Sequence, residues 1–167
     1  MLIRDAVDDD WDSIWPFFRE VVLAQETYAF DPDLTSEQGR SLWMEHPPSR
    51  TAVAVDDHGT VLGSSKMGAN RPGPGSHIGT ASFMVSTRAR GGGVGRALAD
   101  DMVRWHREQG FHGIQFNAVV ETNTAAVRLW EDLGFTVVGT VPEAFRHPTE
   151  GLVGLHVMYL PLTSGAR

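Results

Sequence analysis

A chain of 167 residues, 41% apolar and 21% charged, has the length and composition of one globular domain with a sizeable core. Its formal net charge of −7 argues against wholesale nucleic-acid binding, which needs a basic face, though a local basic patch stays possible. The lack of cysteine rules out disulfides, thiolate zinc sites and a cysteine nucleophile and suits a cytoplasmic setting, and no run reaches the length of a membrane span or a signal peptide's apolar core.

Leu2–Arg4 reads as a first strand. Asp8, Asp9 and Asp10 can cap the helix that follows, whose apolar positions Trp11, Ile14, Trp15, Phe18, Val21 and Val22 have helical spacing. Pro16 is expected to kink it. After the turn Asp31-Pro32-Asp33, Thr35 with Gln38 forms a capping box for a second helix that runs to about Met44 and stops before Pro47-Pro48. The period then changes to two. Strands Thr51–Val55 and Val61–Met67 flank a turn at Asp56–Gly59, and the Gly- and Pro-rich stretch Gly68–Gly75 is loop.

His77–Val85 is the next strand. Val94, Leu98, Met102 and Trp105 share one face of a helix that stops at Gly110. Gly113–Val120 is an apolar strand, expected to be buried on both faces. A helix over Asn123–Leu133 turns Ala126, Leu129, Trp130 and Leu133 inward and ends at Gly134, and Phe135–Val141 and Leu152–Leu160 are the final strands. No repeat or linker interrupts this order of β-α-α-β-β-β-α-β-α-β-β, so one α/β or α+β layered fold with a mixed sheet is expected. Trp11, Trp15 and Trp105 sit at core spacing, and His77, His147 and His156 lack metal-ligand spacing, so no metal is expected.

The segment from Met84 to Leu98 carries the most chemistry. An apolar strand enters a turn holding Gly91, Gly92, Gly93 and Gly95, with Arg90 and Arg96 beside them, and a helix follows. Glycine permits positive φ and leaves no Cβ in a ligand's way, and a helix start offers open N–H groups and a positive dipole end. The combination suits an anion such as phosphate. A P-loop needs Gly-Lys-Ser/Thr, but Gly95-Arg96-Ala97 stands here; a dinucleotide fingerprint needs glycine where Arg96 stands. A nucleotide-binding protein that uses the turn differently remains an alternative.

Arg90, Gly93 and Gly95 match an Arg-x-x-Gly-x-Gly pattern, and Asn123-x-x-Ala126-x-x-Leu129-Trp130-x-x-x-Gly134-Phe135 forms a second signature in the right order. On these two motifs the chain resembles the GCN5-related N-acetyltransferase (GNAT) family. The resemblance implies an α/β (α+β) GNAT fold: a mixed central sheet of about seven strands, the fourth and fifth splayed, flanked by about four helices. It implies a single acetyltransferase domain over residues 1–162, with 163–167 a frayed tail.

The resemblance further implies acetyl-CoA as cosubstrate. Backbone amides of Gly91, Gly92, Gly93, Val94, Gly95 and Arg96, with Arg90, are expected to hold its pyrophosphate. Met84 and Val85 would pair with the pantetheine arm, and one of their amides would face the thioester oxygen. An amine then attacks directly, with no covalent enzyme intermediate. Asn123 contacts the cofactor or caps its helix, and Asn117, an amide within an apolar strand, is read as a buried group of the site. Trp130 stands where many family members place the tyrosine that protonates the leaving thiolate. Indole cannot do that, so Trp130 is expected to pack on the cofactor's arm or sulfur. Tyr28 or Tyr159 could replace that acid, and Glu26 or Glu121 could act as base through water or be plain surface carboxylates.

For the acceptor, the resemblance points to Glu26–Asp31, Asn70–Gly73 and Glu143–His147, with Tyr28, Phe30, Asn70, Arg71, Phe145 and Arg146 as contacts. Aromatics, an amide and arginines suit a small amine that bears a carboxylate, as in the phosphinothricin and proline-analogue acetyltransferases. The expected function is N-acetyl transfer to a small amino acid or analogue, by a homodimer. The alternatives are transfer to a protein or peptide amine, and a catalytically silent acyl-CoA sensor.

Overall fold

The computed structural model describes residues 1–162, so the tail expected to fray lies outside the described residues. Seven strands form one sheet in the order β1-β2-β3-β4-β5-β7-β6. They are β1 (Leu2–Asp5), β2 (Arg50–Val55), β3 (Val61–Ala69), β4 (Ile78–Val85), β5 (Gly113–Val120), β6 (Thr136–His147) and β7 (Gly151–Pro161). The four helices are α1 (Trp11–Ala24), α2 (Ser36–Trp43), α3 (Val94–Glu108) and α4 (Thr124–Asp132). The β4–β5 pair is parallel and the remaining pairs are antiparallel, which gives the expected mixed α/β sheet. No helix among the described residues is long and apolar enough to cross a membrane.

The two faces of the sheet are covered by different helix pairs. Trp11, Ile14 and Phe18 of α1 and Trp43 of α2 bury against Val53, Val55 and Met84. On the other face Met102 and Val103 of α3 and Trp130 of α4 bury against Ile114, Phe116 and Met158. The Thr35/Gln38 capping box is present: Gln38 N–H donates to Thr35 Oγ1 at 3.2 Å, and Thr35 N–H donates to Gln38 Oε1 at 2.9 Å. α1 remains helical on both sides of Pro16.

Asp10 differs from its expected role. It has helical φ and ψ and makes no capping bond to α1. Its carboxylate instead accepts from Val7 N–H at 2.8 Å and from both terminal nitrogens of Arg4 at 2.7 and 2.8 Å. That guanidinium holds the Asp10 carboxyl below the usual carboxylate range.

β6 also differs. It runs past Pro142 to His147, because pairing resumes at Phe145↔Val153 after a bulge that begins at Val141. The bulge absorbs the missing donor of Pro142 and the positive φ of Glu143 (54°).

His106 of α3 is fully buried, with Nδ1 2.9 Å from Met102 O, among Trp105, Phe111 and the bare Cα of Gly79. Burial pushes the imidazole below its ordinary range. The unfolded chain therefore takes up this proton first as pH falls below about 6.5. Stability contributed by neutral His106 is complete above that pH and declines below it. The urea midpoint is expected to fall between about pH 6.5 and 5, and to fall less in His106→Leu; equal slopes would contradict the assignment.

Candidate active site

β4 and β5 pair at Ile78↔Gly113 and Gly79↔Ile114 and then separate, although both continue. The expected splay is therefore present. Ser86 N–H donates to Leu62 O, and the β3–β4 register carries that alternation down the strand. It turns the peptide groups of Met84 toward β3 and those of Phe83 and Val85 into the gap. Met84 thus departs from its expected role: its peptide is used by the ladder and its side chain is buried with α1 and α2. Phe83 takes its place on the edge that faces the gap, where the Tyr28 hydroxyl meets its N–H and C=O. The signal for this was strand parity, since Phe83 and Val85 share one direction and Met84 the other.

β5 leaves β7 irregularly between Phe116 and Val119, and this frees Asn117 and Ala118. Asn117 is exposed, which corrects the expectation of a buried amide and of a strand buried throughout. Its Oδ1 accepts from Gln115 Nε2 at 2.9 Å, and it exchanges amide hydrogen bonds with Asn70 at 2.6 and 3.3 Å. Two expected site residues from distant segments therefore meet at the β5 edge.

Trp130 is 6% exposed. Its ring lies 4.9 Å from Phe83, on β4, and 4.7 Å from Phe116, on β5. It plugs the sheet face beneath the splay, a core role in place of the expected contact with a cofactor's arm. Phe83 was the missing partner in that expectation.

The glycine turn lies at the other end of the open edge. Gly91 and Gly93 have φ of 78° and 76°, where a side chain is strained, and a Cβ on either would point into open space. Gly93 is the N-cap of α3, so the first-turn amides of Val94, Gly95 and Arg96 have no helical acceptor. A Cβ on Gly95 would stand 3.8 Å from both Leu129 and Val85, so this residue joins the turn to α4 and to the gap. The Val94 side chain is core, at 2% exposure, and leaves only its amide to a ligand. Arg90 is exposed, and Arg96 is exposed with Nε 3.1 Å from Asp100. An open strand edge leading to bare glycines and a helix start fits a long ligand with a phosphate at one end.

Asn123 caps α4, its Oδ1 accepting from Ala126 N–H at 3.2 Å. The Glu121 carboxylate accepts from Gly154 N–H and so lies over β7, on the side of β5 away from the gap. That orientation does not suit the expected base. Glu26 is exposed on the segment after α1. Phe30, half-buried, stacks on Phe18 and Tyr28 against the core, and Phe145 is buried with Val120 and Val153, so both are supports more than contacts. Arg71 and Arg146 are exposed. Tyr28 bonds to Phe83, and burial pushes its hydroxyl up to about 12.

A model of the acetyltransferase (GNAT) family matches residues 9–135. Among curated proteins, N-acetyltransferase aca1 of Schizosaccharomyces pombe is 36% identical over 99 residues, 59% of this chain but only 47% of that protein, so the chain spans about half its length. An L-methionine sulfoximine/L-methionine sulfone acetyltransferase of Pseudomonas aeruginosa is 30% identical over 146 residues, covering 84% of this chain and 83% of that one. A GCN5-related N-acetyltransferase structure from Kribbella flavida is 66% identical with a TM-score of 0.94, covering 96% of each chain. The yncA structure from Salmonella typhimurium, solved with its cofactor acetyl-CoA, is 25% identical with a TM-score of 0.83, covering 100% of this chain and 96% of that one.

Proposed function

The chain belongs to the acetyltransferase (GNAT) family, and from that premise we propose that it moves an acetyl group from acetyl-CoA to the amine of a small molecule, an amino acid or analogue. The observation that carries this reading is the continuity of the β4 edge that no strand pairs at Phe83 and Val85 with the glycine turn at Gly91–Arg96. Val85 pairs with the pantetheine arm as a neighbouring strand would, and the amides of the turn and of α3 hold the pyrophosphate, with Arg90 and Arg96 nearby.

Acetyl-CoA supplies an activated thioester. The amine nitrogen bonds to the carbonyl carbon and the C–S bond breaks, with sulfur keeping the electron pair. A free thiol has a pKa near about 8.5, so the thiolate leaves without a dedicated acid, which suits Trp130 at the position usual for tyrosine. Glu26 accepts the amine's proton through water.

The small-molecule assignment draws support from the methionine sulfone acetyltransferase, a relative matched over most of both chains. Asn70 and Asn117 form the polar floor for the acceptor, and Arg71 or Arg146 meets its carboxylate. The protein works as a cytoplasmic homodimer joined at β6, where Val137, Val138 and Val141 are exposed; light scattering at the monomer mass would contradict this.

The test is thiol release from acetyl-CoA across free amino acids, methionine sulfone included, and peptides with free N-termini. Release that depends on a free amino acid is expected. Release with peptides alone would overturn the small-molecule acceptor, and tight CoA binding without release on any amine would replace the enzyme with a silent sensor.

A further inference from the structure

Tyr28 enters the gap from the segment between α1 and α2, and its hydroxyl meets both backbone groups of Phe83, with the Ser82 side chain also beside it. Its oxygen accepts from Phe83 N–H at 2.8 Å, and its O–H donates to Phe83 C=O at 2.7 Å. A donor and acceptor on a strand edge ordinarily pair with the next strand, but β5 has moved away here and a phenol takes its place. The ring is anchored. It stacks on Phe30 at 5.2 Å with planes 4° apart and meets Trp43 edge-on at 6.3 Å. Its hydroxyl is thus brought by tertiary packing to an amide on the edge that the acyl donor must use.

We infer that Tyr28 is a catalytic residue, its O–H and the Phe83 N–H being the two donors that receive the thioester oxygen. This rests on the acetyltransferase reading above. In the free protein the N–H donates to the phenol oxygen and the hydroxyl hydrogen rests on Phe83 C=O. The acyl oxygen comes in beside the phenol oxygen and shares the Phe83 N–H as a three-centre bond, while the hydroxyl hydrogen turns about the Cζ–O bond from Phe83 C=O to that same acyl oxygen. As the amine nitrogen bonds to the carbonyl carbon, the C=O electron pair moves onto oxygen, where both donors stabilise it. The pair returns as the C–S bond breaks and sulfur departs as thiolate. The nitrogen's proton leaves through water to Glu26.

Tyr28 keeps its own proton throughout, and its burial accords with this, since the hydroxyl stays neutral at any physiological pH. The role differs from that of an acid toward sulfur, and it explains why a phenol stands at this edge while position 130 holds an indole.

Tyr28→Phe keeps the ring, Phe30 and Trp43, and removes only the hydroxyl. The direct readout is the carbonyl stretch of ¹³C-labelled acetyl-CoA bound to each protein, which needs no acceptor. In the wild type it is expected at lower frequency than in solution, and in Tyr28→Phe it moves back toward the free value. The Kd for acetyl-CoA stays within about threefold, and kcat with the best amine falls about a hundredfold or more. An equal stretch in the two proteins, or an unchanged kcat, overturns the role. A loss of thermal stability with an unchanged stretch overturns it too, because it marks Tyr28 as structural. Failure of the wild type to bind acetyl-CoA would overturn the acetyltransferase reading itself, and it shows in the protein that carries no substitution.

Discussion

Gly93→Val is expected to weaken CoA binding by about a hundredfold, about 3 kcal/mol, while the protein still folds. Gly93 has φ of 76°, and a Cβ there meets nothing within 4 Å, so the substitution causes no clash in the folded chain. Its cost arises locally. A residue with a Cβ in the left-handed region is disfavoured by about 1–2 kcal/mol, and β-branching adds to this, so the turn shifts. The added bulk stands at the N-cap of α3, beside the amides of Val94, Gly95 and Arg96, which have no helical acceptor. Isothermal titration with CoA measures the affinity, and circular dichroism reports the fold. Unchanged affinity in a folded variant would place the pyrophosphate elsewhere.

Trp130→Ala is expected to act on stability, with a loss of about 3–5 kcal/mol. The indole fills the space between Phe83 at 4.9 Å, Phe116 at 4.7 Å and Phe135 at 6.0 Å. Removing it opens a cavity beneath the parallel β4–β5 pair, where few backbone bonds tie the two strands. Urea unfolding is the measurement, read as a drop in midpoint at constant slope. A near-normal midpoint with weakened CoA affinity would mean that the ring contacts the ligand and not the core. The Gly93 and Trp130 variants thus separate a surface that binds from a wedge that supports.

The elements that the sequence disclosed are those with a local cause. Thr35 and Gln38 announce their helix because both capping bonds are made within four residues of chain. The glycine turn was legible for the same reason: positive φ at Gly91 and Gly93 and the start of α3 are properties of a contiguous segment. Roles set by distant partners were not legible. Asp10 sits among acidic residues ahead of a helix, yet Arg4 claims its carboxylate. Asn117 looked buried because its strand neighbours are apolar, but burial there depends on β4 staying close, and β4 departs after Gly79. Glu121 faces β7 because Gly154, over thirty residues away, offers an N–H. Tyr28 reads as one more aromatic in a loop until packing delivers its hydroxyl to Phe83.

We propose that the unpaired β4 edge and the glycine turn form one acetyl-CoA site. Backbone amide resonances recorded while acetyl-CoA is titrated into ¹⁵N-labelled protein test this most directly. The largest shifts are expected on Phe83, Val85 and Gly91 through Arg96, with smaller ones at Asn123, and ATP or NAD is expected not to reproduce them. Saturation by acetyl-CoA with those amides unmoved, or the same shifts from ATP or NAD and none from acetyl-CoA, would contradict it.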